Sequence, residues 1–217
     1  MSNGSGLFSD QQAVVPHLSK GELKDLRDDV SRALSPLAAM TVDEFTNPAT
    51  GAVADLKAAT ACTVAVQTIS SFLAGGVAAL AAYARNVTLT TSGGTPADAP
   101  ATALVTGTYN GAVQTETINV PQTAATATGL KPFDTVESVI YSAAQGTDAL
   151  VSIGVGAGLG VTKTPKARAG AVNPLREIAV GALVTTGTLT AAGLYTPAAA
   201  PNAARDYALF YEYDPTV

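Results

Sequence analysis

Along the middle of the chain, apolar and polar positions alternate with a period of two, in short runs separated by Gly, Pro, Asn and Asp. The clearest case is Thr102–Val120, TALVTGTYNGAVQTETINV, where two β-branched runs flank Asn110-Gly111. An Asn-Gly pair between such runs is the strongest short-range hairpin signal, because both residues accept the positive φ of a type I′ turn. That turn pairs Tyr109 with Ala112, Thr108 with Val113 and Thr106 with Thr115. Asn86–Thr91, Phe133–Ser142, Ala149–Val155 and Asp206–Tyr213 read as further strands. So do Thr63–Ile69, Glu177–Val184 with a kink or bulge at Gly181, Gly187–Thr190 and a short stretch at Thr123–Thr128. Ser92–Pro100, Lys131-Pro132 and Gln145–Asp148 read as turns. Strands at this spacing predict a mainly β fold, an antiparallel β-sandwich (Ig-like or jelly-roll-like) over residues 60–217, with a short helix near 77–84.

The period changes toward the N-terminus. Residues 1–18 are Gly/Ser-rich and then polar, an extended arm or a disordered tail, with Leu7, Phe8, Val14 and Val15 as its apolar anchors. Ser19 and Glu22 form a capping box that opens a helix. Leu23, Leu26, Val30, Ala33 and Leu37 then recur at alternating steps of three and four, a narrow apolar stripe. The stripe is two heptads long and fits packing on its own domain or on a partner. Thr41–Glu44 looks like a second capping box, and Ala52–Ala59 has good helix formers, so residues 19–59 are expected to be helical. In the last strand Tyr207, Leu209, Tyr211 and Tyr213 share one face, filling a core or offering a tyrosine-rich contact.

Composition narrows the function more than the fold. Charged residues are 13% of the 217 positions, about half the usual share. Apolar residues reach 47%, much of it Ala. A surface so poor in charge points to a large permanent interface. With a net charge of −5 and no basic cluster beyond Lys163, Lys166 and Arg168, nucleic acid is not the expected partner. The start of the chain has no basic n-region or apolar h-region, so no signal peptide is read. The longest apolar run, Phe72–Ala84, is too short for a membrane span, and synthesis in a cytoplasm is expected.

Candidate chemistry is sparse. Gly154–Gly160 has four glycines, but Leu159 stands where a dinucleotide loop needs its third glycine, and strand-like residues follow instead of a helix. The run reads as a strand end where backbones pass closely. Cys62 is the single cysteine and looks like a small buried hydrophobe. His17 is the single histidine and lies in the N-terminal arm, away from any triad partner. Asp28-Asp29 and Asp43-Glu44 read as solvated helical charge. No catalytic, metal or cofactor residues are assigned, and no enzyme is expected.

One resemblance adds to this reading. Arg85–Thr91 (RNVTLTT), Thr106-Gly107-Thr108 with Glu116-Thr117-Ile118, Phe133–Val139 (FDTVESV) and Val151–Gly156 followed by Leu159-Gly160 form an ordered set. In that order they resemble structural proteins of tailed-bacteriophage virions, most closely head-decoration and head-associated proteins. The resemblance covers about residues 85–162 and brings no catalytic residues with it. It implies a non-enzymatic capsid decoration protein on the virion surface, partnered by the major capsid protein and by itself, with a trimer as the expected order. Neither nucleic acid nor a membrane is implied as a partner. Candidate contact residues are Leu7, Phe8, Leu23, Leu26, Val30, Leu37, Tyr207, Tyr211 and Tyr213. A tail tube, baseplate or head-fibre component is the alternative, and a carbohydrate-binding module a remote one.

Overall fold

Period-two runs pair wherever a turn returns the chain, and in the computed structural model this yields fourteen strands among the described residues. Those residues are 39–166, 176–179, 182–184 and 187–213. The arm and the helix expected from Ser19, with Leu7, Phe8, Leu23, Leu26, Val30 and Leu37, lie outside them. The fold is mainly β, built of packed antiparallel sheets as in a sandwich.

The first sheet has the order β3(Gln67–Ile69)-β8(Thr135–Tyr141)-β5(Thr102–Tyr109)-β6(Ala112–Asn119). Facing it is β12(Thr188–Leu189)-β13(Leu194–Thr196)-β9(Ala149–Gly160)-β4(Arg85–Gly93)-β7(Thr126–Phe133), with β2(Lys57–Ala61) also paired to β9. The principal core lies between them. Val87, Leu89, Val151 and Ile153 from one sheet meet Ala103, Val105, Val139 and Tyr141 from the other. A third sheet, β1(Ala39–Phe45)-β14(Tyr207–Tyr213)-β10(Arg176–Ala179)-β11(Ala182–Val184), has its own core. There Phe45, Leu159, Tyr195, Tyr207, Leu209 and Tyr211 are buried together. One helix, α1(Ala74–Ala82), and one 3-10 turn (Pro96–Asp98) complete the described elements.

The Asn110-Gly111 hairpin has the predicted register, Tyr109 opposite Ala112, Thr108 opposite Val113 and Thr106 opposite Thr115. Asn110 has φ 49° and Gly111 φ 77°, the positive values its turn requires. Elsewhere tertiary context overrides local signals. Thr41–Glu44 is part of strand β1, not a helix start, because Asp43 and Phe45 are buried while Val42 and Glu44 face out. Ala52–Ala59 is no helix either: turns lead into β2, whose residues Lys57, Thr60 and Ala61 pair with β9. Of the strand expected at Thr63–Ile69 only β3 forms. The helix expected near 77–84 starts and ends slightly earlier. The turn expected at Lys131-Pro132 is continuous strand, tolerated because β7 is the terminal strand of its sheet and Pro132 needs no ladder N–H on its free side. In place of the one strand expected at Glu177–Val184, β10 and β11 pair antiparallel with Ala179 opposite Ala182, and Gly181 lies outside the described residues.

Candidate interaction surfaces

The chain is held at its centre by two consecutive polar residues that the alternation pattern does not reveal. Arg85 is 1% exposed. Its guanidinium donates from Nε (3.0 Å) and Nη2 (2.6 Å) to the Gly156 carbonyl and from Nη1 (3.0 Å) to the Ala49 carbonyl. Burial pulls its pKa below the ordinary arginine value, opposed in part by the field of Asp55. Asn86 donates to the Gly129 carbonyl (2.9 Å) and accepts from the Gly158 amide (2.9 Å), so it ties together the two strands that flank β4. The register of β4 slips at this point against both β7 and β9, a bulge that turns the two side chains toward those carbonyls.

This explains the glycine run. β9 extends through it to Gly160, and a Cβ at Gly156 would collide with the Asn86 side chain, while one at Gly158 would come within 2.6 Å of Leu194 Cδ1. The run is strand architecture with close backbone approach, as its sequence indicated.

A cleft of about 620 Å³ opens where β1, the C-terminal end of α1, the hairpin tip and the end of β9 meet; Asp43, Phe45, Ala82, Tyr109, Asp134 and Thr162 are among its lining residues. Its walls are rigidly tied. Asp43 accepts from the Thr162 amide (2.8 Å), the Thr162 hydroxyl (2.5 Å) and the Tyr211 hydroxyl (2.8 Å). Tyr109 donates to the Val161 carbonyl, and the Tyr83 ring packs edge-on against Phe45 at 5.5 Å. Burial is the main cause holding the Tyr109 and Tyr211 phenols well above the ordinary tyrosine pKa, and Asp43 adds to it at Tyr211. All three contacts to the Asp43 carboxylate tie β1 to the chain beyond β9 and to β14.

The predicted contact tyrosines are placed inside. Tyr207 and Tyr211 are buried, with Tyr207 donating to the Ala199 carbonyl at 2.6 Å, and Tyr213 is half-buried. Tyr207 and Tyr211 fill the core between the third sheet and the end of β9, and Tyr213 packs at its margin. Cys62 is buried, and burial raises its thiol pKa, so it is a packing residue. His17 lies outside the described residues. Among the described residues no group of three His, Cys, Asp or Glu side chains could hold a metal, and no helix is long and apolar enough to cross a membrane.

Most described carboxylates are engaged inside the fold. Asp55 accepts from the Ala52 amide, Asp134 from the Asn110 amide and Asp206 from the Asn47 amide. Glu116 accepts from the Leu130 and Lys131 amides, while Lys131 Nζ returns a bond to the Thr115 carbonyl, closing the gap between β6 and β7. By contrast, the outward positions of β5 and β6 are Leu104, Thr106, Thr108, Val113, Thr115 and Thr117, without a charge among them. On the adjoining β8, Ser138 and Ile140 continue this face, with Glu137 at a bulge. No protein-family model, curated protein or solved structure matches the chain.

Proposed function

We propose that the chain is a non-enzymatic structural protein of a tailed-phage virion, a capsid decoration protein that binds the assembled head as a homo-oligomer and stabilises it. It is made in the host cytoplasm and resides on the capsid surface, with the major capsid protein and itself as partners. The observation that carries this reading is the Thr-rich outer face of the β3-β8-β5-β6 sheet, nearly free of charge, in a chain whose described carboxylates mostly brace its own backbone. Such a face gives up little hydration energy when covered, and its hydroxyls both donate and accept across a contact. Binding to the assembled lattice and not to free subunits stabilises the lattice by mass action, about 2.7 kcal/mol per site at a hundredfold excess over Kd.

The test mixes purified protein with assembled heads that lack it and, separately, with dissociated capsid subunits. Saturable binding to heads alone, together with a higher head disassembly temperature, is the expected result. Equal binding to free subunits, or no binding, refutes it. Quantitative protein composition of purified particles separates the competitor: hundreds of copies fit decoration, whereas tens in multiples of six fit a tail component. Deleting residues 1–38, which leaves β1 whole, is expected to abolish head binding while the sandwich stays folded.

A further inference from the structure

Helix α1 has the sequence AGGVAALAA, without a polar side chain at any of its nine positions. Gly76 and Leu80 are its buried residues, and Gly76 is pressed against the Asp55–Leu56 backbone. Val77, Ala78, Ala81 and Ala82 face outward. A helix apolar on every side belongs in an interior, yet this one lies on the surface of the described fold. Leu73, immediately before it, is 48% exposed, and Val77, one turn on, 46%. The apolar surface continues past the helix end, because Ala81 and Ala82 line the same cleft as Val42. β1 turns Met40 and Val42 outward, and Glu44 marks the far margin. β1 is also the terminal strand of its sheet and has neither Lys nor Pro to blunt its edge.

We infer that this surface, from Leu73 along α1 to Val42 and Met40, seats a second copy of this chain, the two α1 helices lying antiparallel across a two-fold axis. Three observations select a copy of the same chain. First, α1 has no acidic residue in its first turn, no basic residue in its last turn and no side-chain N-cap, so both ends of its dipole are uncompensated. An antiparallel copy sets each end against the opposite one. Second, the exposed large side chains Leu73 and Val77 stand in the N-terminal half, beside Ala74 and Gly75, while the other half exposes only the small Ala78, Ala81 and Ala82. Antiparallel pairing therefore puts large against small, as in well-packed helix pairs. Third, an acidic chain of net charge −5 meets its copy here without carboxylate facing carboxylate at the centre of the contact.

Such a contact is isologous and closes as a dimer, not the trimer the resemblance implies. A nine-residue helix spans about 14 Å, so even with Leu73 and β1 the area falls near the lower end of specific interfaces. Self-association is accordingly weak, with Kd roughly in the tens of micromolar. The inference rests on the homo-oligomeric part of the proposed function and not on the shell, so it is measured without shells and stands or falls apart from head binding.

Sedimentation velocity on the full chain, from about 5 to 500 µM, is expected to show conversion from the 21.7 kDa monomer to a species of twice that mass. Ala78→Glu and Val42→Glu each weaken the dimer at least about tenfold, as a carboxylate is placed in the contact. Val64→Glu, between β2 and β3, leaves it unchanged. The substituted positions are exposed, and far-UV circular dichroism with the urea midpoint confirms folding. If either variant loses stability, Ala81→Glu replaces it. A monomer over the whole range, a trimer, a dimer indifferent to both Ala78→Glu and Val42→Glu, or one broken by Val64→Glu overturns the inference.

Discussion

Replacing Arg85 tests how the centre of the fold is held. The guanidinium is buried, makes three donor contacts to two backbone carbonyls, and has no carboxylate within ion-pair distance among the described residues. Two opposing terms decide the outcome of a substitution. Losing the fork leaves the Gly156 and Ala49 carbonyls short of a partner, at about 1–3 kcal/mol each. Removing a buried charge, however, relieves a desolvation penalty of several kcal/mol. Arg85→Met suffers the first and gains the second, for a net loss of about 1–2 kcal/mol. Arg85→Lys keeps the buried charge, as a more strongly hydrated ammonium, and cannot span both carbonyls in the guanidinium geometry. Its loss is expected to be larger, about 3 kcal/mol, or roughly 6–12 °C in Tm for a chain of this size.

A second signature separates the two variants. A buried lysine has its pKa depressed, so the unfolded state binds more protons than the folded one between the two pKa values. Arg85→Lys therefore regains stability as pH rises toward about 10, whereas Arg85→Met does not change over that interval. Urea unfolding followed by far-UV circular dichroism at pH 7 and pH 9.5 measures both. A neutral Arg85→Lys, or one less harmful than Arg85→Met, would refute the assignment of the fork as the holding interaction.

Three other outcomes follow from the geometry. The Tyr109, Tyr141 and Tyr211 phenols all have folded pKa values raised chiefly by burial, so the unfolded chain loses these protons first; stability is full below about pH 9 and falls as pH rises past about 10. Urea midpoints between pH 8 and 11 record that fall, and Tyr141→Phe, which removes a buried hydroxyl with no hydrogen-bond partner in the protein, reduces it at a neutral-pH change of less than about 1 kcal/mol. Glu116→Ala is expected to cost about 1–2 kcal/mol and to speed hydrogen exchange at the Leu130 and Lys131 amides that it holds, while β5–β6 amides stay protected. Gly156→Ala, forced against the Asn86 side chain, is expected to destabilise by about 1–3 kcal/mol in thermal unfolding, and more than Gly75→Ala, where a Cβ meets open space.

Much of the β architecture was legible because its signals are local. Asn110-Gly111 dictates both a turn type and a register, and alternation along β14 sets Tyr207, Leu209 and Tyr211 on one face, which is the buried one. The same local logic misled at Thr41–Glu44 and Ala52–Ala59. A capping-box pattern and good helix formers express preferences of about 1 kcal/mol or less, and strand pairing with burial of Asp43 and Phe45 outweighs them. The Tyr207–Tyr211 stripe was visible, but its destination was not. Buried and contact-forming tyrosines have the same spacing, and only the position of β14 against Leu159 and Tyr195 decides between them.

The amino-acid sequence by itself determined the fold class, the central hairpin with its register, the structural character of the glycine run and the burial of Cys62. Each follows from chain-local geometry or composition. Only the tertiary structure decided what Arg85, Asn86, Asp43 and Glu116 do, because their partners are 14 to 168 residues away and are mostly backbone atoms, which carry no residue-type signal. It also decided that α1 lies on a surface. Its apolar sequence reads equally as a core helix, and it becomes an unsatisfied face only when the rest of the described fold leaves it uncovered.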